Sequence, residues 1–268
     1  MRTLPRARVL MYHGVDTVPS SRDPHGLFVT PQAFRDQVDH LLESGFAPVS
    51  EEQYVAAVHG APLPRKAVLI TFDDGYLGVG EHAAPVLASY GVPSVLYVPV
   101  GLIGGRSDWL EPPHRHPLMG VDELRAVQQQ GMGIASHGLD HAALPTLSDD
   151  ELRRHAAETR EVLGSLVGAE VRSFAFPYGT HDARSRAAVR AAGYDIAFAV
   201  HDPVDELAIE RVDVNASDTL RSFRVKLARF YPAAWHAAAR FPAVRRAVHE
   251  LVGRADPVDD TVTVPGSR

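Results

Sequence analysis

Six consecutive residues, Ala-Val-Leu-Ile-Thr-Phe at positions 67–72, carry no charge and only one hydroxyl. A half-exposed strand would alternate polar and apolar residues; this run does not, so it reads as a strand buried on both faces. Such a strand needs cover on both sides of its sheet, and an α/β architecture with parallel strands and returning helices supplies it. The rest of the chain has the matching parts. Residues 8–13, 93–98, 132–136, 173–176 and 195–200 read as further short strands, with 211–214 a candidate for one more. Helical stretches separate them. Thr30 and Pro31 open one, with Phe34, Val38, Leu41 and Leu42 on one face and Gly45 at its end. Ser50 with Gln53, and Ser148 with Glu151, have the spacing of capping boxes. Residues 82–90, 122–130 and 182–192 are helical and stop at Gly91, Gly131 and Gly193. A closed or nearly closed barrel fits this count better than an open sheet.

At 268 residues the chain suits one such domain. It has no cysteine, so any metal site must use His, Asp or Glu, which suits zinc or a similar divalent ion. The formal charge of −6 argues against a general nucleic-acid partner. After the basic residues Arg2, Arg6 and Arg8 the apolar run covers only residues 9–11, too short for a secretory segment, and no stretch approaches a membrane span. The expected location is therefore cytoplasmic. Residues 221–254 depart from the rest, with eight basic side chains against one acid, Glu250. Aromatic and aliphatic residues lie between the basic ones at amphipathic spacing. These helices either pack their apolar face on the barrel or lie on an anionic membrane at its inner face. The expected division is 1–220 for the main domain, 221–255 for basic amphipathic helices and 256–268 for a flexible tail.

Three strand ends carry candidate chemistry. Asp73 and Asp74 follow the strand at 67–72, so one carboxylate can bind a cation while the other accepts a proton; Gly75 lets the chain turn away. A solvated turn is the alternative. His137 and His141 follow the strand at 132–136, and a helical turn there would put both on one face, within reach of one ion. Pro177, Tyr178 and Gly179 end a third strand, where a turn could free the Tyr178 amide to donate to an oxyanion. A plain Pro-Tyr-Gly turn is the alternative. Trp109, in the Gly- and Pro-rich stretch 101–118, is either a sugar-stacking platform or a loop anchor.

Taken together, Thr71-Phe72-Asp73-Asp74-Gly75, the His137/His141 pair and Pro177-Tyr178 resemble the polysaccharide deacetylase family, carbohydrate esterase family 4, over about residues 8–214. Met11-Tyr12-His13-Gly14-Val15 is similar to the start of its exopolysaccharide deacetylase branch. The resemblance implies a distorted (β/α) barrel. It implies a divalent metal (zinc, with cobalt or nickel as alternatives) held by Asp74, His137 and His141, and Asp73 as general base. It also implies hydrolysis of N-acetyl or O-acetyl groups on a glycan or glycoside. His13 would line or buttress the pocket, against a satisfied core histidine. His201 is the nearest candidate for the general acid, against a surface histidine. Many members carry an arginine two residues before the proline of the third motif. Here that residue is Ala175, so the partner that orients the base is missing or comes from elsewhere. Two rivals are weighed against this reading: cleavage of a non-sugar C–N amide, and a non-catalytic glycan-binding module.

Overall fold

The computed structural model describes residues 4–200 and 203–231. In chain order come strands β1 (Arg8–Tyr12), β2 (Gly14–Val15) and β3 (Phe28–Val29), helix α1 (Pro31–Glu43), β4 (Ala47–Pro48), α2 (Glu51–Val58) and β5 (Ala67–Phe72). Then follow α3 (Ala84–Tyr90), β6 (Ser94–Val98), α4 (Val121–Gln129), β7 (Met132–Ser136), α5 (Asp149–Arg153) and α6 (Thr159–Val167). The described part ends with β8 (Ser173–Ala175), α7 (Ala183–Ala191), β9 (Ile196–Ala199), β10 (Ile209–Glu210), β11 (Val212–Asp213) and α8 (Leu220–Leu227). The predicted caps form. Thr30 accepts from the Ala33 amide, and Ser50 and Gln53 bond reciprocally, as do Ser148 and Glu151. These local bonds satisfy amides that the first helical turn leaves without partners.

The main sheet runs β10-β9-β8-β7-β6-β5-β1-β11, and every pairing in it is parallel. Its two end strands, β10 and β11, are separated in sequence by Arg211 alone. One extended segment thus pairs with β9 through its first half and with β1 through its second, which closes the sheet into a barrel. The barrel is distorted where β4 pairs with the start of β5, while β6 pairs with Thr71 and Phe72 at its end. All six residues of β5 are buried, as its unbroken apolar run requires.

Burial splits the core into two layers. Outside the sheet, Tyr12, Phe72 and Phe34 of α1 form a mutual aromatic cluster. On the barrel's inner side, Tyr97 and Phe198 meet edge to face, with the Arg211 guanidinium 5.7 Å from each ring centroid. Helix α8 continues the outer layer: its Phe223 and Leu227, with Tyr231 just beyond it, join the main core. The rest of the basic segment, 232–254, and the tail at 256–268 lie outside the described residues.

Candidate active site

The strand ends that the sequence singled out meet at one rim. Asp73 and Asp74 leave β5, His137 and His141 leave β7, and Pro177 and Tyr178 leave β8. The chain between the histidines is not a helical turn. It bends through Gly138 at φ 77° and His141 at φ 65°. This bend, rather than helical periodicity, brings the rings together, their centroids 5.0 Å apart. Among the described residues, four non-glycine residues adopt positive φ: Lys66, Asp74, His141 and Tyr178. Three of the four are at this rim, and each costs about 1–3 kcal/mol that the surrounding packing must offset. Backbone strain gathered at one place marks it as a site rather than a set of turns.

Asp74 Oδ1 stands 3.4 Å from His137 Nε2 and 3.2 Å from His141 Nε2. It is buried and has no hydrogen-bond partner. Leaving a buried carboxylate oxygen unsatisfied is expensive. One Asp oxygen and two imidazole nitrogens are the ligand types of a zinc-like ion, and the three groups lie within 4.8 Å of one another. The residues therefore fit a divalent metal. His137 is set for that role: its Nδ1 lies 2.7 Å from the Ala175 carbonyl, so Nδ1–H donates there and Nε2 is the ring nitrogen turned toward Asp74.

Asp73 has a different partner. Arg211 Nη1 donates to Oδ1 at 2.7 Å and Nη2 to Oδ2 at 2.6 Å, a bidentate pair that is almost wholly buried. Nη1 also reaches Thr71 Oγ1 at 3.2 Å. The orienting cation that Ala175 cannot supply comes from the barrel's closing segment, 138 residues away in sequence. An arginine opening the strand-like stretch 211–214 was the available signal for it. Burial alone would raise the Asp73 carboxyl, but Arg211 and His137 outweigh that and hold it below the usual range. Burial is also opposed at Asp74, where His141 and His137 pull the carboxyl well down. Burial pushes both histidines toward neutrality. Asp73 and Asp74 override this at His137, which is raised, whereas His141 stays lowered.

The remaining candidates take these places. His13 is half-buried at the end of β1, and its Nδ1 has no partner. Tyr178 is 40% exposed at the mouth and packs edge-on to His141, at 4.6 Å between centroids. Trp109 stacks on His141 at 4.2 Å and 17°. His201 lies outside the described residues. A cavity of about 580 Å³ lies beside β1 and the closing segment and touches the site at Arg211.

A parallel barrel with two adjacent aspartates and two histidines at one rim has the layout of a metallohydrolase. The family model for polysaccharide deacetylase matches residues 60–197, just over half the chain, and the chain belongs to that family. Two curated relatives agree. The Bacillus subtilis (strain 168) protein YxkH, itself named for this family, is 25% identical over 189 residues, 70% of this chain and 62% of its own length. The poly-beta-1,6-N-acetyl-D-glucosamine N-deacetylase of Escherichia coli (strain K12) is 26% identical over 259 residues, 80% of this chain and 37% of its own. The chain therefore spans less than two thirds of either. Among solved structures, Streptococcus pyogenes deacetylase PplD superposes with a TM-score of 0.73 at 19% identity, covering 84% of this chain and 100% of that one. IcaB from Ammonifex degensii gives 0.67 at 24%, covering 85% and 96%. At these identities the superpositions establish the fold.

Proposed function

We propose that this chain hydrolyses N-acetyl or O-acetyl groups on a carbohydrate. The observation that carries the reading is one metal-competent triad, Asp74, His137 and His141, beside a second carboxylate, Asp73, that is held out of the ligand set by Arg211. Asp74, His137 and His141 would hold a divalent ion, whose Lewis acidity would polarise an acetyl carbonyl and lower the pKa of water at neutral pH. Asp73 accepts the proton of the attacking water, its lone pairs aimed by the two bonds from Arg211. The Tyr178 amide, at the left-handed turn after β8, is the proposed donor to the developing oxyanion. The departing sugar nitrogen or oxygen then needs a proton. His13, at the end of β1 with an unpaired ring nitrogen, is one candidate; His201 is the other. The E. coli relative is named for removing N-acetyl groups from a β-1,6-linked glucosamine polymer, which favours an amino-sugar glycan as the first substrate to try.

The test is an acetate-release screen across N- and O-acetylated glycans with zinc, cobalt or nickel supplied. The expected result is release that a chelator abolishes and that Asp73→Asn lowers at least about a hundredfold while metal is retained. Activity confined to small cyclic amides would replace the substrate class. Metal binding and glycan binding without turnover would make the chain a binding module.

A further inference from the structure

His137 and His141 face the same Asp74 oxygen, yet their rings are fixed by different means. His137 Nδ1 is tied to the Ala175 carbonyl at 2.7 Å. His141 Nδ1 is buried without a hydrogen-bond partner. A ligand histidine ordinarily gives its second nitrogen to a carbonyl, carboxylate or water, which fixes ring rotation and tautomer. Aromatic rings enclose His141 instead. Trp109 lies parallel to it at 4.2 Å and 17°, and Tyr178 meets it edge-on at 4.6 Å and 73°.

Trp109 is held independently of the histidine it covers. Its loop folds back on itself through a bridge between Arg106 and Pro117, and a bridge between Tyr76 and Leu118 ties it to the segment after β5. Asp108 pairs with Arg115 at 3.0 Å, Arg115 Nε donates to the Leu110 carbonyl at 2.7 Å, and buried Ser107 accepts from the His116 amide at 2.8 Å. Trp109 also packs with Phe28, Tyr76 and Leu118 in a core separate from the main one. The loop is thus a braced arm that delivers an indole face to one ligand.

Resting on the metal-site reading above, we propose that Trp109 is a positioning residue for the metal. Its stacking, with Tyr178 at the edge, replaces the missing hydrogen bond to His141 and holds that ring in its ligating orientation. An imidazole gains positive character when its Nε2 binds a cation, and the electron-rich indole face favours that form. The stacking is therefore strongest in the loaded site. The face turned to His141 is then unavailable to a sugar ring, so any substrate platform would be the opposite face alone.

The experiment measures zinc and cobalt affinity by chelator competition on the full chain, with the visible spectrum of the cobalt form as a reporter of coordination geometry. Trp109→Leu is expected to bind about 10–100-fold more weakly, the usual cost of losing a group that orients a ligand, and to shift the cobalt bands. Trp109→Phe, which keeps an aromatic face, should stay within a few-fold of the parent. If Trp109→Leu does not fold, Trp109→Met keeps the apolar volume without a ring, and the Met-to-Phe difference carries the same information. Unchanged affinity and cobalt spectrum in the Leu or Met variant overturns the proposal. So does a rise in KM alone with metal binding intact, which would make Trp109 a sugar platform. A parent chain that binds no metal overturns the site reading and this inference together, whereas a parent that binds and a variant that binds equally well removes only this inference.

Discussion

Asp73 and Glu51 are carboxylates enclosed at opposite ends of the same barrel, and their surroundings drive them in opposite directions. Asp73, at the carboxyl ends of the strands, has a guanidinium on both oxygens and is held below the usual carboxylate range. Glu51 reaches the amino ends, close to Gly133, and its Oε1 is buried with no partner. Burial dominates there; Ser173 and Arg172 offset only part of it, and the carboxyl is pushed up to about 7. Tyr97 lies between them, with its hydroxyl on Ser173 at 2.7 Å and its ring under Arg211. A buried carboxylate stays charged only where the fold gives it a fitted cation. The rim has one, and the Asp73 carboxyl stays ionised; the opposite end lacks one, and the Glu51 carboxyl is pushed toward its protonated form. In barrels of this kind the first end carries chemistry and the second stability.

Removing the cation should have the largest effect. Arg211→Leu leaves Asp73 buried and unpaired, which is expected to cost about 3–5 kcal/mol of stability in denaturant unfolding, along with most turnover. A variant that unfolds like the parent would mean that water or His137 already satisfies Asp73, and the contrast between the two ends would collapse. A smaller and pH-dependent effect is expected at the other end. The folded state holds the Glu51 proton up to about pH 7, whereas an ordinary glutamate loses it near 4.5. Stability from this group is thus complete below 4.5 and is lost as pH rises through 7. Glu51→Gln should match the parent in acid and exceed it above neutrality, by on the order of 1–3 kcal/mol. Parallel melting curves across that range would show that Glu51 is charged and compensated in the fold. The smallest change is Tyr97→Phe, which removes one buried hydrogen bond to Ser173 for about 1 kcal/mol. Its readout is thermal unfolding; a loss several times larger would tie the two ends together through the ring rather than the hydroxyl.

Much of the site was legible because it is local. Asp73 with Asp74 and Pro177 with Tyr178 are short motifs at strand ends, and the pair His137 and His141 is four residues apart, so the sequence alone placed them at one rim. The helical turn expected between the histidines did not form, because Gly138 and His141 take left-handed backbone angles that no periodicity announces. Ala175 showed that a partner for Asp73 had to be found elsewhere or was missing; it did not say which.

The sequence by itself determined the doubly buried strand β5, the capped helices, the parallel α/β class and the identity of the candidate ligands. Each of these depends on residues within a few positions of one another, through hydrogen bonding, side-chain volume and backbone preference. Only the tertiary structure decided that residues 209–213 pair with β9 and β1 at once, that Arg211 thereby reaches Asp73, and that Trp109 covers His141. Those contacts join residues 32–138 positions apart in sequence for Trp109 with His141 and for Asp73 with Arg211. They exist because closing the barrel fixes where distant strand ends and loops meet, and the packing of the whole chain sets that closure.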